Sequence, residues 1–202
     1  MPEGKSPRRI IILKEAARLF RKKGFMASTL RELAKRSGVQ GGSIYHHFSS
    51  KQEILYQIMD FTMTNLIYKI DIEIKGIEDP LEKLRRAISF HIEYHVSDSD
   101  ETFVTDTEIR SLDKSYLEKI LEKRAIYESK FVGILNSGNR KESMQIPNTK
   151  IAAMAILQMC TGVSYWYKKE SHLKIEDITD QYVNFICWGV AGQTTYVEEI
   201  RK

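Results

Sequence analysis

Two histidines four positions apart, His91 and His95, have the most obvious potential for chemistry in this chain. On a helix this spacing places both imidazoles on one face, where they could bind a metal ion, and it turns Glu93 away from that face. The segment HIEYH therefore lacks the layout of the HExxH metalloprotease motif. Partly buried or pocket-lining histidines explain the pair better, so we predict no metal site.

Motifs that carry catalysis in other proteins are missing from the sequence. It contains no GxxxxGK[ST] phosphate loop, no GxGxxG dinucleotide loop, no GxSxG nucleophile elbow and no Cys and His set at metal-ligand spacing. The two cysteines, Cys160 and Cys187, stand in apolar surroundings, which indicates reduced, buried thiols. We therefore predict that the protein is not an enzyme and has no catalytic residue and no cofactor.

Residues 29–48, TLRELAKRSGVQGGSIYHHF, show the layout of a helix-turn-helix. Gly38 supplies the tight turn between the two helices, with a positive φ. Apolar residues of both helices are expected to face the core: Leu30, Leu33, Ala34, Val39, Ile44 and Phe48. Small and polar residues of the second helix are left facing outward: Gln40, Gly41, Ser43, Tyr45 and His46 or His47. A recognition helix requires this division, because its apolar residues fix its angle while its first residues reach base edges in the major groove.

Positive charge is concentrated around this motif. Residues 1–50 hold eleven Lys and Arg residues and three acidic residues, a net charge of +8, and because the whole chain carries +4 the remainder carries −4. This asymmetry favours a polyanionic partner at one end, although a solvated basic surface would produce it too. A helical enzyme or a helical protein-interaction module would leave the basic, glycine-containing helix at residue 40 unexplained.

The elements that must position the motif are helices, because apolar residues recur at helical spacing and no alternating strand pattern is visible. The expected helices lie at about 8–23, 29–37, 40–47, 51–74, 80–96, 101–110, 114–136, 148–169 and 176–191. Residues 137–140 and Pro147 are predicted to mark the longest loop. No apolar run reaches the ~18 residues of a membrane span, and no secretory signal is visible, so we expect a cytoplasmic protein without a membrane partner.

Residues 8–55 resemble the N-terminal domain of the TetR/AcrR family of bacterial repressors. The resemblance rests on ILKEAARLFRKKGF, the RELA helix, the GV turn, IYHHF and SSKQEIL. It implies an all-α fold: an N-terminal three-helix helix-turn-helix DNA-binding domain, residues 1–50, and a C-terminal helical ligand-binding and dimerisation domain, residues 51–202, that begins with a linking helix, 51–75. The implied partners are double-stranded operator DNA, a small-molecule effector and a second copy of the chain.

The resemblance also implies which residues contact DNA. The candidate set is Thr29, Arg31, Gln40, Gly41, Gly42, Ser43, Tyr45, His46, His47 and Lys51. Tyr45 and Lys51 would bind phosphates, while Gln40 and Ser43 would read bases. Many relatives carry Lys, Arg or Ser where this chain has Gly41, which implies sparse base contacts and more weight on the DNA backbone and DNA shape. Arg8, Arg9, Lys22 and Lys23 are further candidate phosphate contacts, with a solvated surface as the alternative for the two lysines.

For the effector we predict an apolar pocket lined by Phe90, Tyr94, Phe103, Arg110, Tyr127, Tyr165 and Trp166. Core packing is the alternative for each aromatic, and pairing with Asp106 or Asp113 is the favoured alternative for Arg110. The segments EIRSLD and GVSYWYKKES are similar to TetR relatives that respond to acyl-CoA thioesters. That similarity implies a CoA ester whose phosphates lie near Lys168, Lys169 or Arg124; the other candidate is a hydrophobic drug-like compound, with an efflux gene as the target.

Two further segments, 150–169 and 176–191, are expected to form the helices of a dimer interface. Their apolar positions form a broad stripe: Ile151, Met154, Leu157, Ile178, Tyr182, Phe185 and Ile186. Small residues would let the helices approach closely: Ala152, Ala153, Ala155, Gly162 and Gly189. Operator recognition with two-fold symmetry requires a dimer, whereas the alternative is that both helices belong to the core of one chain.

Overall fold

A computed structural model describes residues 7–97, 99–168 and 172–191 of the protein, and all regular structure within these residues is helical. The α-helices are α1 (Pro7–Lys23), α2 (Leu30–Arg36), α3 (Gly41–Tyr45), α4 (Lys51–Glu73), α5 (Pro80–Ser97), α6 (Ser99–Thr107), α7 (Lys114–Arg140), α8 (Thr149–Thr161), α9 (Val163–Trp166) and α10 (Ile175–Ala191). One 3-10 turn, Ile109–Ser111, lies between α6 and α7. The predicted all-α fold is confirmed. None of the described helices is both long and apolar enough to cross a lipid bilayer.

The chain divides into two compact units. The first unit comprises Met1–Asn65 and Asp98–Lys123, and the second comprises Leu66–Ser97 and Arg124–Lys202. Helices α4 and α7 each contribute residues to both units. The first unit is larger than the predicted DNA-binding domain of residues 1–50, because it includes the first part of α4, all of α6 and the start of α7.

Helix α1 supplies much of the core of the first unit and packs against α2 and α6. Its apolar residues recur at helical spacing and are buried along one face: Ile12, Ala16, Ala17, Leu19 and Phe20. Gly24 ends the helix in the left-handed conformation, with φ +80°, and its N–H donates to the Phe20 carbonyl at 2.7 Å. Phe25 follows directly and meets the Phe20 ring edge-on, with 5.2 Å between ring centroids. This turn fixes where α2 begins.

Helix α5 is the corresponding core element of the second unit, and it packs against α8, α9 and α10. Its buried face carries apolar and aromatic residues together with both histidines: Leu84, Ala87, Ile88, Phe90, His91, Ile92, Tyr94 and His95. Glu93 is exposed, as its place off the histidine face predicts.

The loop predicted at residues 137–140 is wrong, because α7 continues through Arg140. The glycine that suggested a loop serves close packing instead: a Cβ at Gly138 would overlap the side chain of Met144, and the N–H of Ser143 donates to the Gly138 carbonyl at 3.0 Å. Asn139 then ties the following turn to the helix, since its side-chain amide donates to the Ile146 carbonyl at 2.8 Å and accepts from the Ile146 N–H at 3.0 Å.

The single helix predicted at residues 148–169 is also wrong, because the structure divides it into α8 and α9 at Gly162. The hydroxyl of Ser164 donates to the Thr161 carbonyl at 2.8 Å, which satisfies a carbonyl at the end of α8. Asn148 caps the start of α8 by accepting from the N–H groups of Lys150 and Ile151 at 3.1 and 3.0 Å.

Candidate nucleic-acid interface

The outward-facing residues of the first unit are positioned by α3, a short helix with a firmly anchored apolar side. Ile44 is 0% exposed and Phe48 is 2% exposed, so both fix the helix to the core as predicted. Gln40 precedes the first turn in extended conformation and is exposed. Tyr45 is 63% exposed. The split between a buried and an exposed face is the one that a recognition helix requires.

The other predicted DNA-contact residues of α3 and of the segment after it differ in how exposed they are. Gly42 and His46 are exposed, whereas Ser43 and His47 are half-buried. Gly41 is the first residue of α3. A Cβ at Gly42 would meet nothing within 4 Å, so the glycine leaves open space beside the backbone rather than relieving a clash inside the protein.

The turn before α3 has the predicted glycine geometry. Gly38 has φ +64°, and a Cβ there would meet nothing within 4 Å, so the backbone conformation rather than space requires glycine. Thr29 caps α2, because its Oγ1 accepts from the Glu32 N–H at 3.2 Å. Arg31, on the next turn, is exposed and makes no ion pair with any residue that the structure describes.

Lys51 does not point its ammonium group into solvent. Its Nζ donates to the carbonyls of Phe25 and Ser28 at 2.8 Å each, and lies 3.4 Å from the Met26 carbonyl oxygen and 4.3 Å from the centroid of the Phe25 ring. Burial lowers the pKa of Lys51, and the carboxylate of Glu108 partly opposes that shift. The residue that the family resemblance implied as a phosphate contact is thus bound to the turn between α1 and α2.

Arg9 is likewise engaged inside the first unit. Its guanidinium donates to the His47 carbonyl, pairs with the Glu53 carboxylate at 3.0 Å and lies 4.2 Å from the centroid of the Phe48 ring. Burial opposes the ionisation of Glu53, but hydrogen bonds from Ser49 and Arg9 outweigh it and lower its pKa. Arg9 therefore fixes the residues that follow α3 to the start of α4.

The polar centre of the second unit is a buried histidine on α5. His91 Nδ1 lies 3.0 Å from the Tyr127 hydroxyl, and its Nε2 lies 2.9 Å from Oγ1 of Thr161. The His95 ring lies beside it, tilted by 34°, with 4.1 Å between ring centroids. Burial lowers the pKa of His91 well below its ordinary value, and His95 adds to the shift. Both ring nitrogens of His91 are engaged by hydroxyl groups.

Three of the predicted effector residues surround this centre or lie beside it. Tyr127 is 4% exposed, and burial raises the pKa of its hydroxyl well above the ordinary value. Phe90 and Tyr94 are buried with 5.6 Å between their ring centroids. Tyr165 and Trp166 belong to the same unit but are 49% and 47% exposed. Sequence reasoning missed Thr161, which has no motif to mark it.

Phe103 and Arg110 belong to the first unit rather than the second. The Arg21 guanidinium lies 5.0 Å from the centroid of the Phe103 ring. The favoured pairing of Arg110 with Asp106 or Asp113 is wrong: Arg110 lies on the 3-10 turn, is exposed and forms no ion pair within the described part of the chain.

Of the basic residues expected near a CoA phosphate, Lys168 is exposed, Arg124 is half-buried, and Lys169 lies outside the described residues. Cys160 and Cys187 are buried free thiols, as predicted.

Two family models match this sequence. The model described as "Bacterial regulatory proteins, tetR family" matches residues 12–58, and the one described as "Tetracyclin repressor-like, C-terminal domain" matches residues 78–190. The second model alone covers more than half of the chain. The protein therefore belongs to the TetR family of bacterial regulatory proteins, and the resemblance noted in the sequence is confirmed.

Similar proteins agree with this assignment. The HTH-type transcriptional repressor KstR2 of Rhodococcus jostii is 25% identical over 192 residues, which cover 94% of each chain. The fatty acid metabolism regulator protein of Bacillus subtilis is 30% identical over 146 residues, 70% of this chain and 75% of that one. Members of this family and these relatives are transcriptional regulators, so the prediction that the protein is not an enzyme is confirmed.

Solved structures share the fold. A tetR-family regulatory protein from Rhodococcus superimposes with a TM-score of 0.88 at 22% identity, covering 94% of this chain and 100% of that one. AibR, solved in complex with isovaleryl coenzyme A and operator DNA, has a TM-score of 0.83 at 22% identity and covers 88% of this chain and 97% of its own.

Proposed function

We propose that the protein is a homodimeric transcriptional repressor that binds operator DNA through α3 and releases it when a small hydrophobic or acyl-CoA-type effector binds the second unit. The observation that carries the proposal is α3 itself, with Ile44 and Phe48 buried beneath it and Gln40, Tyr45 and His46 exposed on it. A bacterial operator lies in the cytoplasm, which is where the protein would act.

The DNA-binding step is tested by selecting duplexes from a random library with the full-length protein. A two-fold symmetric dimer should select two half-sites about one helical turn, ~34 Å, apart. Binding should weaken steeply as salt rises, because phosphate contacts release counterions. Failure to select any duplex would contradict the proposal.

Tyr45 offers a sharper test at a single atom. Tyr45→Phe removes one exposed hydroxyl and should weaken binding to the selected duplex by roughly ten- to a hundredfold, since a hydrogen bond to a charged phosphate contributes about 1.5–3 kcal/mol. The free energy of unfolding should not change. Tyr68→Phe is the matched control, because Tyr68 is 66% exposed and lies on α4 in the second unit. Equal affinity of both variants and the parent protein would count against α3 as the reading helix.

Dimer formation is supported by large apolar side chains that one chain leaves uncovered on α8 and α10. Ile151 and Met154 are 64% and 52% exposed, and Phe185 and Trp188 are 71% and 80% exposed. Exposed apolar side chains at this density favour a protein partner. Trp188→Asp should shift the sedimentation coefficient from dimer to monomer, whereas Leu121→Asp, at an exposed position on α7 in the first unit, should not. A parent protein that sediments as a monomer would refute this part of the proposal.

The effector class is supported by the relatives and by the aromatic surroundings of His91. One relative is a fatty acid metabolism regulator, and one structural neighbour was solved with isovaleryl coenzyme A. We expect isovaleryl coenzyme A or a longer acyl-CoA to raise the thermal midpoint, and coenzyme A alone to raise it less. If only a hydrophobic dye such as ethidium stabilises the protein, the drug-like alternative replaces the acyl-CoA one. The proposed site in the second unit is formed by five of the predicted effector residues, Phe90, Tyr94, Tyr127, Tyr165 and Trp166; the other two, Phe103 and Arg110, belong to the first unit.

Release of DNA would follow from a shift of the linking helix, which corresponds to α4 and contributes to both units. An effector that favours the wrong spacing of the two recognition helices by a few kcal/mol is sufficient. The effector must then bind free protein more tightly than operator-bound protein. Equal affinity for the two forms would rule this step out.

A further inference from the structure

The turn between α1 and α2 is held by a second charged residue besides Lys51. One carboxylate oxygen of Glu108 accepts from the Phe25 N–H at 3.0 Å, and the other accepts from the Ser111 hydroxyl at 2.7 Å. Glu108 lies between α6 and the 3-10 turn, far along the sequence from the helix-turn-helix and inside the region that the C-terminal family model matches. A residue from that region thus supplies an acceptor to the DNA-binding motif.

Gln52 makes the third connection. Its side-chain Nε2 donates to the Ser111 carbonyl at 2.7 Å, and its Oε1 accepts from the Asp113 N–H at 3.1 Å. Gln52 is the second residue of α4, and Asp113 immediately precedes α7. One amide therefore joins the starts of the two helices that contribute to both units of the chain.

We propose that Lys51, Gln52 and Glu108 form a polar clamp that positions the helix-turn-helix by fixing the α1–α2 turn to the starts of α4 and α7, without contacting DNA. The inference rests on the proposed DNA-binding function. An ammonium group has three protons to donate, and the carbonyl oxygens of Phe25, Met26 and Ser28 surround Lys51 Nζ. The Phe25 and Ser28 carbonyls take two of these protons at 2.8 Å, and a phosphate would compete with the Met26 carbonyl, 3.4 Å from Nζ, for the third. Lys51 is thus a positioning residue.

Whether substitution of Glu108 raises or lowers the affinity for DNA distinguishes a positioning role from a purely electrostatic one. Removing a carboxylate makes the protein more positive and, by charge alone, should strengthen DNA binding. Loss of the clamp should instead weaken DNA binding, because the helix-turn-helix is no longer held in position. We expect Glu108→Ala to weaken binding to the selected duplex by on the order of tenfold, because it leaves the Phe25 N–H without an acceptor. Glu108→Gln keeps an acceptor for Phe25 and should stay within about twofold of the parent.

The matched control is Glu118→Ala. Glu118 lies on α7 in the first unit, is exposed and makes no ion pair or side-chain hydrogen bond with another residue that the structure describes, so the variant changes the net charge by the same amount without touching the clamp. It should bind DNA as tightly as the parent or more tightly. Glu108→Ala binding as tightly as Glu118→Ala would overturn the proposal.

Lys51→Arg tests the lysine while keeping its charge. A phosphate contact tolerates arginine, but a planar guanidinium does not match three converging carbonyls. We expect Lys51→Arg to lose affinity as Glu108→Ala does, while Lys114→Arg, at an exposed position at the start of α7, does not. Gln52→Ala, which changes no charge, should also weaken binding several-fold. Full affinity of Lys51→Arg and Gln52→Ala would overturn the proposal.

A measurement without DNA separates failure of the clamp from failure of the proposed function. Hydrogen exchange on the full-length protein should show the Phe25 amide protected in the parent and in Glu108→Gln, and exchanging at least tenfold faster in Glu108→Ala. The Asp113 amide should respond in the same way to Gln52→Ala. Unchanged protection in both variants contradicts the clamp even if the parent selects no duplex, and a variant that unfolds is recognised by loss of protection throughout α1.

Discussion

The two units of this chain stabilise polar groups in opposite ways. In the first unit, charged side chains with partial exposure tie the helix-turn-helix together: Arg9 binds Glu53, and Lys51 binds the α1–α2 turn. In the second unit, the central polar group is a neutral, enclosed side chain, since His91 is 3% exposed and both of its ring nitrogens meet hydroxyl groups. A charged network at a surface responds to salt, whereas an enclosed histidine responds to pH.

The largest expected effect comes from removing the apolar support of the enclosed histidine. Phe131 is 0% exposed and meets the His91 ring edge-on, with 6.2 Å between centroids. Phe131→Ala should lower the free energy of unfolding by about 3–5 kcal/mol, because it removes buried aromatic surface and leaves a cavity. Urea unfolding measures the loss, with Tyr68→Ala as an exposed control that should change it by less than about 0.5 kcal/mol. A loss below about 1 kcal/mol at Phe131 would show that the second unit repacks freely.

As pH falls, the second unit should lose stability before the first unit does. The pKa of His91 lies well below 6.5 in the folded protein. Just below pH 6.5, His91 is therefore protonated in the unfolded chain but stays neutral in the folded one. Stability therefore falls as pH drops below 6.5, by up to about 1.4 kcal/mol per pH unit for this one group. The test is the urea midpoint at pH 7.5 and 5.5.

Two variants test whether His91 causes this dependence of stability on pH. His91→Gln can still bond the hydroxyls of Tyr127 and Thr161, costs some stability at pH 7.5 and should flatten the pH dependence between these two values. His172→Gln, at an exposed position, should leave the slope unchanged. If both variants keep the slope of the parent, another group causes it.

How far the sequence predicts the molecule differs between the two units as well. The helix-turn-helix could be read from local signals: Thr29 as a cap, Gly38 with positive φ, and Ile44 and Phe48 at buried spacing. Each of these depends on a few neighbouring residues, so the pattern is visible in one segment.

Contacts between distant segments could not be predicted in this way. Gly138 looks like a loop residue until Met144 is placed against it, and Lys51 looks like a phosphate ligand until the turn at Phe25 is folded beside it. Glu108 has no motif at all, because its partner amide lies 83 positions away. The histidine pair was noticed from its spacing, but Thr161, which completes its hydrogen bonds, is 70 positions from His91.

The first unit should lose the stabilising contribution of the Glu53 carboxylate only at a lower pH than the one at which His91 acts. The pKa of Glu53 is lowered in the folded protein, so its contribution is complete above about pH 4.5 and is lost as pH falls below that value. Glu53→Gln should lower the free energy of unfolding at pH 7 by about 1–2 kcal/mol, since it weakens hydrogen bonds from Ser49 and Arg9. The difference from the parent should shrink as pH falls below 4.5 and the parent carboxyl takes up its proton. A difference that does not change between pH 7 and the acid side of 4.5 would mean that packing rather than charge explains the loss.

The smallest effect is expected where the second unit does use a surface ion pair. Lys130 Nζ lies 2.8 Å from the Asp71 carboxylate, but the Asp71 side chain is 49% exposed. Water and salt screen such a pair, and holding two long side chains in one geometry costs conformational entropy. Lys130→Met should therefore change the free energy of unfolding by about 0.5 kcal/mol or less, and the difference should vanish in 1 M NaCl. A loss above about 1 kcal/mol that survives high salt would contradict the contrast between the units, because a charged contact would then support the second unit as strongly as Arg9 and Glu53 support the first.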